Sequence, residues 1–394
     1  MSMDPIVALD IGTSQVRVLV GEETPDGDWK VTGVGHNPSR GMRKGACGHL
    51  DDASDAARAA LAMAEEEASM SIHSVVLPLA GGGIQARESH VELAVKDTVT
   101  DDHVRQILSE ARHNGIPPDC KLLHNVVQRY RLDQLSGVNP VGLNGGILAL
   151  DSLLVYGEHR ALMNLVHVAK NLDLDVSEPC FAGLCAATAC LDAEQKQQGV
   201  LLIDLGAGVT TWVAYAQACM ADAGVVPVGG WNVTNDLATA FRLTFDAAET
   251  LTRQHGDAMI NHTPRNRRVE SAGSRVSIKL PDLQTVVHLR MDETFGLVRE
   301  ALEKKGLLRL FGGGVVLSGG GARLHNVATL AERVFNLPCA VAAPAPFPDM
   351  RPELCGPEWA TALGALRLGI NSQIARTPIP KSFLKRLRTF IGFE

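Results

Sequence analysis

The sequence predicts an α/β protein of two similar lobes that face one another, and three observations carry that reading. A strand, an Asp-x-Gly turn and a second strand occur over Ile6 to Val20 and again over Gly199 to Tyr215, with Asp10 and Asp204 at positions 194 residues apart. A third strand, Gly314 to Leu317, runs into Ser318-Gly319-Gly320-Gly321-Ala322 and then into a segment of helical apolar spacing, Asn326 to Phe335. At 394 residues the chain also exceeds what one core of ordinary size can organise.

Composition narrows the class. Hydrophobic residues make up 45 % and charged residues 21 %, which excludes a coiled coil, a collagen-like chain and a largely disordered one. The net charge of −7 argues against nucleic acid as a partner. That charge is uneven: Asn371 to Glu394 holds five cations and one acid, so the tail is +4 and the remainder −11. The tail therefore has an electrostatic task of its own. Met1 to Ile11 lacks a basic leader, and no stretch reaches about 18 consecutive apolar residues, so neither secretion nor a spanning helix is expected. Eight cysteines are scattered, and the spacing of five in Cys180, Cys185 and Cys190 spreads them around a helix instead of gathering them for zinc. They read as reduced core residues.

Each Asp-x-Gly turn presents consecutive backbone N–H groups, and glycine lets an anion come close because no Cβ intervenes. Gly12, Thr13 and Ser14 form the first such turn, and Gly206, Ala207 and Gly208 the second. One turn of this kind is common; two at matched places in a duplicated chain point to a triphosphate clamped between lobes. An Asp at the strand end, Asp10 or Asp204, suits the water shell of Mg²⁺. Gly81-Gly82-Gly83 reads as a hinge leading into an inserted segment. The sequence contains no G-x-x-x-x-G-K-[ST], G-x-G-x-x-G or H-E-x-x-H, so P-loop, dinucleotide and zinc-protease readings are set aside.

These turns and the Ser318 to Gly321 run resemble the phosphate and adenosine motifs of the actin, Hsp70 and sugar-kinase superfamily. Closer still, the chain resembles the FtsA family of bacterial cell-division proteins along its length. The stretches are VALDIGTSQVRVLVGE (7–22), GVGHNPSRGMRKG (33–45), NPVGLNG (139–145), FAGLCAA (181–187), VVPVGGWNVTNDLA (225–238), RQHG (253–256) and GVVLSGGGARL (314–324).

The resemblance implies an actin-like, RNase H-like pair of lobes with an inserted α+β subdomain and a C-terminal amphipathic helix. The expected first lobe is 1–84 and 173–198, completed by 358–375, with the insertion at 85–172. The second lobe is 199–234 and 306–357 with its outer subdomain at 235–305, followed by a linker at 376–381 and the helix at 382–394. It also implies ATP with Mg²⁺ between the lobes. Gly12, Thr13 and Ser14 would face the phosphates with Gly206 and Gly208 opposite, Gly319, Gly320 and Gly321 would lie near the α-phosphate and ribose, and Glu249 and Arg253 near the adenosine. Gly230 completes that set. The partners implied are a second copy of the chain, the C-terminal peptide of the tubulin-like protein FtsZ, other division proteins and the inner face of the cell membrane.

The second turn departs from the family pattern. Ala207, Val209 and Thr211 stand where family members usually carry Gly, Thr and Asp. A flexible residue, a hydroxyl and a carboxylate are lost, although Thr210 offers a donor, and no water-activating residue can be picked out. ATP is therefore expected to act as an assembly ligand with slow hydrolysis at most.

In the tail, Phe383, Leu384, Leu387, Phe390 and Ile391 share one helical face, flanked by Lys381, Lys385, Arg386 and Arg388. That pattern suits reversible attachment to an anionic leaflet. Arg290 and Glu293 stand on an expected helix where the family receives its FtsZ peptide. The reading is an adaptor that anchors the FtsZ ring at the cytoplasmic face of the membrane and polymerises there. Its alternatives are a small-molecule kinase of the same superfamily and a pilus-assembly ATPase of the PilM type.

Overall fold

The computed structural model describes residues 3–260, 264, 266–270 and 276–376. The expected membrane helix, with Phe383, Leu384, Lys385, Arg386, Leu387, Arg388, Phe390 and Ile391, lies outside the described residues.

Runs of β-branched and aliphatic residues fold back across each Asp-x-Gly turn and seed a sheet. In chain order the first lobe contributes β1 (Ile6–Ile11), β2 (Gln15–Glu23), β3 (Trp29–Pro38), α1 (Leu50–Ala68) and β4 (Ser74–Leu79). The inserted segment follows with β5 (Gln85–Ala94), α2 (Asp101–His113), β6 (Cys120–Leu132), β7 (Leu135–Ser136) and β8 (Ile147–Glu158). The chain then returns through α3 (His159–Lys170), β9 (Asp175–Phe181) and α4 (Ala182–Cys190). α5 (Ala193–Gln198) leads into β10 (Val200–Leu205), β11 (Thr210–Ala216), β12 (Cys219–Val226), α6 (Gly230–Phe241) and α7 (Phe245–His255). The last elements are α8 (Leu280–Glu303), β13 (Val315–Ser318), α9 (Val327–Phe335), β14 (Cys339–Val341) and α10 (Ala360–Arg376).

The duplication read from the turns holds for whole sheets. The first runs β9-β4-β1-β2-β3, and the second begins β14-β13-β10-β11-β12. In both, the Asp-bearing strand pairs antiparallel with its hairpin partner and parallel with the strand on its other side. The register also matches, Asp10 lying opposite Arg17 and Asp204 opposite Thr211.

Helices cover these sheets according to the size of their contact residues. α1 turns Ala53, Ala56, Ala57, Ala60 and Ala64 inward, so it lies close on β3. α10 meets α4 closely enough that a Cβ on Gly364 would stand 1.7 Å from the Cys185 carbonyl oxygen. In the second lobe, α8 buries Leu283, Val287, Phe295 and Val298 against the sheet residues Leu201 and Ile203. Among the described residues, no helix is long and apolar enough to cross a membrane.

The inserted segment is fastened to both lobes. Its core, with Val91, Ile107, Leu132, Leu148 and Leu150, lies between α2 and its own strands. At one edge Gln85 bridges Gly224, so β5 extends the second-lobe sheet to nine strands. The Gln128 side-chain amide donates to the Met220 carbonyl at 2.8 Å. α3, just beyond β8, sends Leu162, Leu165, Val166 and Ala169 into the first-lobe core. On that side His124 Nε2 of β6 accepts the Phe181 amide at 2.8 Å.

Burial holds His124 neutral and lowers its pKa from 6.5 to about 4. A folded-state value below the unfolded one stabilises the protein above pH 6.5, and that contribution is lost as pH falls toward 4. The full effect is about 3 kcal/mol. The wild-type thermal midpoint is therefore expected to fall more steeply across this window than that of His124→Gln, and equal slopes would refute the assignment.

Candidate functional site

The two Asp-x-Gly turns meet at the floor of a cleft of about 1040 Å³ between the lobes. All of Asp10, Gly12, Thr13, Ser14, Asp204, Gly206, Gly208, Gly230, Glu249, Arg253, Gly319, Gly320 and Gly321 line it. The turns are built alike: the Gly12 amide donates to the Gln15 carbonyl at 3.0 Å, and the Gly206 amide to the Val209 carbonyl at 3.0 Å. No backbone hydrogen bond among the described residues claims the amides of Thr13, Ser14, Ala207 or Gly208. Four main-chain donors thus remain at the cleft floor, an arrangement that suits an anion.

The turns also touch. A Cβ on Gly208 would lie 2.4 Å from Thr13 Oγ1, so the Thr13 side chain occupies the space glycine leaves. Thr13 is 6 % exposed, and its Oγ1 accepts the Gly45 amide at 3.1 Å. Thr13, expected to face the phosphates, is thus also a wedge between the lobes.

Behind the second turn, the Gly230 and Trp231 amides donate to the carbonyls of Gly206 and Ala207 at 2.9 and 2.8 Å. The start of α6 therefore braces that turn, and the Gly230 amide is spent on it. Gly319 has φ +81°, and a Cβ there would stand 2.6 Å from both Asp204 Oδ1 and the Leu205 carbonyl oxygen. Only glycine meets both demands. Glu249 and Arg253 project from successive turns of α7 and pair with each other at 2.7 Å.

Two carboxyl groups lie deep in the site. Burial pushes the Asp204 pKa up to about 6, with Ser318 Oγ donating to it at 3.0 Å and partly offsetting that rise. Burial likewise raises Asp10, while the positive charge of Arg17 draws it back.

Several lining residues were not picked out from the sequence. Arg17 Nη1 is 3.8 Å from Asp10 Oδ2, and the guanidinium carbon lies 5.2 Å from the Trp359 ring centroid. His36 meets the same indole edge-on at 6.3 Å. Hairpin register could have found Arg17, because a residue facing Asp10 across a two-strand ladder shares its face. Trp359 and Thr361 reach the site from a distant segment and leave no local signal.

Arg290 and Glu293 lie on α8 and are not among the cleft residues. The Arg290 fork grips Asp236 of α6 at 2.6 and 3.0 Å and also bonds Glu293. The expected partner residue thus ties α6 to α8, with the exposed Leu289 beside it.

Comparison with solved structures defines the class first. The chain resembles a PilM–PilN type IV pilus biogenesis complex, with TM-score 0.64 at 16 % identity over 93 % of this chain and 98 % of that one. It also resembles MreB5 of Spiroplasma citri bound to AMPPNP, with TM-score 0.54 at 15 % identity over 98 % and 99 %. The fold is actin-like. Family models described as "Cell division protein FtsA" and "SHS2 domain inserted in FTSA" match residues 201–364 and 81–156. The cell division protein FtsA of Pseudomonas aeruginosa is 32 % identical over 93 % of this chain and 90 % of its own length. That of Escherichia coli K12 is 30 % identical over 99 % and 98 %. The chain belongs to the FtsA family of cell-division proteins.

The Thr13–Gly208 contact yields a prediction. Gly208→Ala must spread the turns and is expected to cost about 1–3 kcal/mol in stability. Gly320→Ala, whose new Cβ meets nothing within 4 Å, serves as the control. Thermal melts of both variants check it, and equal midpoints would refute the wedge.

Proposed function

We propose that this chain binds ATP in the cleft and, so loaded, polymerises on the membrane as an adaptor for the FtsZ ring. The observation that carries the reading is the set of four unspent amides, two from each lobe, at the floor of one cleft. A triphosphate bound there would bridge the lobes, so ATP would act as an assembly ligand by fixing the angle between them. AMPPNP in the related MreB5 structure supports a nucleotide of this class. The chain's own residues supply binding and orientation: the turn amides take phosphate oxygens, and Glu249 and Arg253 border the purine end. No residue of the cleft is assigned to activating water, and slow ATPase at most is expected.

The magnesium ion implied by the family is a separate matter. Asp10 already faces the Arg17 guanidinium, and Asp204 is engaged by the Ser318 hydroxyl. Thr211, the counterpart of Arg17 in the second hairpin, offers a hydroxyl with no hydrogen bond among the described residues. The guanidinium weakens the pull of Asp10 on a divalent ion, while Asp204 and a bound triphosphate would attract one, so these two carboxylates are the residues that would hold the water shell of a magnesium ion; no step is routed through it.

Attachment to the membrane is proposed for 382–394, where the five apolar side chains of one helical face and three cations, Lys385, Arg386 and Arg388, share the work. Each buried apolar side chain contributes up to ~1.5–3 kcal/mol and each cation near an anionic leaflet about 1 kcal/mol. Binding is weak for one copy and strong for a filament through avidity. The FtsZ C-terminal peptide is proposed to dock on the outer part of the second lobe near Arg290 and Glu293.

The test is filament formation on an anionic lipid monolayer. ATP-dependent filaments that recruit FtsZ are expected, and FtsZ recruitment without ATP or without the monolayer would contradict the reading. Removing 382–394 is expected to reduce co-sedimentation with anionic vesicles by about tenfold or more; undiminished pelleting would reject the tail's role. Arg290→Ala is expected to weaken the FtsZ peptide by at least about threefold in a chain that remains folded, and unchanged affinity would remove Arg290 from that surface.

A further inference from the structure

The wall of the cleft carries three acid–base pairs of one design. Glu249 pairs with Arg253 at 2.7 Å, Glu358 with Arg323 at 2.7 Å and Asp257 with His325 at 3.0 Å, and all six residues line the cleft. In each pair the base projects and the acid is tucked behind it. The basic side chains are 68 %, 68 % and 73 % exposed, the acidic ones 30 %, 16 % and 16 %.

The three projecting groups come from adjoining stretches of chain. The segment after the third glycine turn runs beside the end of α7: the Ala258 amide donates to the His325 carbonyl at 2.9 Å, and a Cβ on Gly256 would stand 2.9 Å from Leu324 Cδ1. The start of α7 lies by the second Asp-x-Gly turn, because Trp231, whose amide is bonded to the Ala207 carbonyl, meets the Phe245 ring edge-on at 5.4 Å. Glu249 follows one helical turn on and Arg253 two turns on. A nucleotide with its phosphates at the turns would therefore bring its sugar to Glu249 before its base reaches Arg253.

Guanidinium and imidazole planes stack on the face of a base, and stacking tolerates any base. Bases are told apart along their edges, where adenine donates from N6, guanine accepts at O6 and donates from N2, and N7 accepts in both. Reading either amino group takes an acceptor, and the ionised carboxylate is the acceptor-only side chain. The carboxylates of this wall are spent. Asp257 accepts from the Asn326 amide and the Met259 N–H besides facing His325. The second oxygen of Glu358 is buried. The oxygen that Glu249 has left meets the sugar, whose hydroxyls ATP and GTP share. Of the exposed lining residues, Gln254 carries both a donor and an acceptor, and Arg267 only donates, to the N7 common to both purines.

We propose that the cleft grips the base of its nucleotide by the faces and leaves the edge unread, so that the chain takes ATP and GTP alike. The inference rests on the ATP reading of the same site. Arg253, Arg323 and His325 supply the stacking planes, and their carboxylate partners fix those planes in position.

The test titrates ATP and GTP, each with excess Mg²⁺, into the full chain by calorimetry. A site built to hydrogen-bond one base would reject the other strongly, whereas here the two affinities are expected to agree within about fivefold. Arg323→Ala is expected to weaken both nucleotides by about fivefold or more, and by the same factor. A preference of about fivefold or more for either nucleotide would overturn the proposal, as would an Arg323→Ala loss that falls on one nucleotide alone or on neither. A preference for ATP does so while leaving the ATP reading standing. No heat with either nucleotide overturns both. The wild-type comparison alone decides the matter if Arg323→Ala does not fold.

Discussion

The structure depends on the contact between Thr13 and Gly208. A stiff β-branched side chain on one lobe fills the space left by the missing Cβ on the other, and this sets how near the two turns come. Their proximity brings four main-chain amides to one spot. A larger residue at 208 would part the turns, and the amides would no longer share a ligand. The Gly45 amide, bonded to the Thr13 hydroxyl, fixes the wedge from behind.

The parts around that contact serve to hold it. The twin sheets deliver Asp10 and Asp204 in matching register. α6 spends its first amides on the carbonyls of the second turn, so that turn cannot shift without the helix. Through the Arg290–Asp236 pair, α6 is in turn linked to α8. The inserted segment continues the second-lobe sheet at Gln85 and reaches the first lobe at His124. The insertion is thus bonded to both lobes at once.

Much of the site was legible in the sequence because turn chemistry is local. Glycines and a strand-end Asp, bounded by aliphatic runs, predicted both hairpins, and the residues expected at the nucleotide all line one cleft. The rest was hidden for a physical reason: it is made by contacts between distant parts of the chain. Trp359 meets Arg17 across more than 340 positions of sequence. Arg290 was expected as a partner contact, and only the packing of α6 on α8 brings Asp236 to it. Continuity between the inserted sheet and the second lobe rests on one bridge, Gln85 to Gly224, with no pattern in either strand to announce it. Arg17 is the intermediate case, readable from hairpin register yet overlooked because an arginine in a strand ordinarily faces water.

The central claim is that turns from both lobes hold a single ligand. Amide hydrogen exchange of the full chain, with and without ATP, tests it most directly. Slowed exchange at Thr13 and Ser14 together with Ala207 and Gly208, rising in parallel with ATP concentration, is the result this account requires. Protection confined to one turn, or absent from both at saturating ATP, would contradict it.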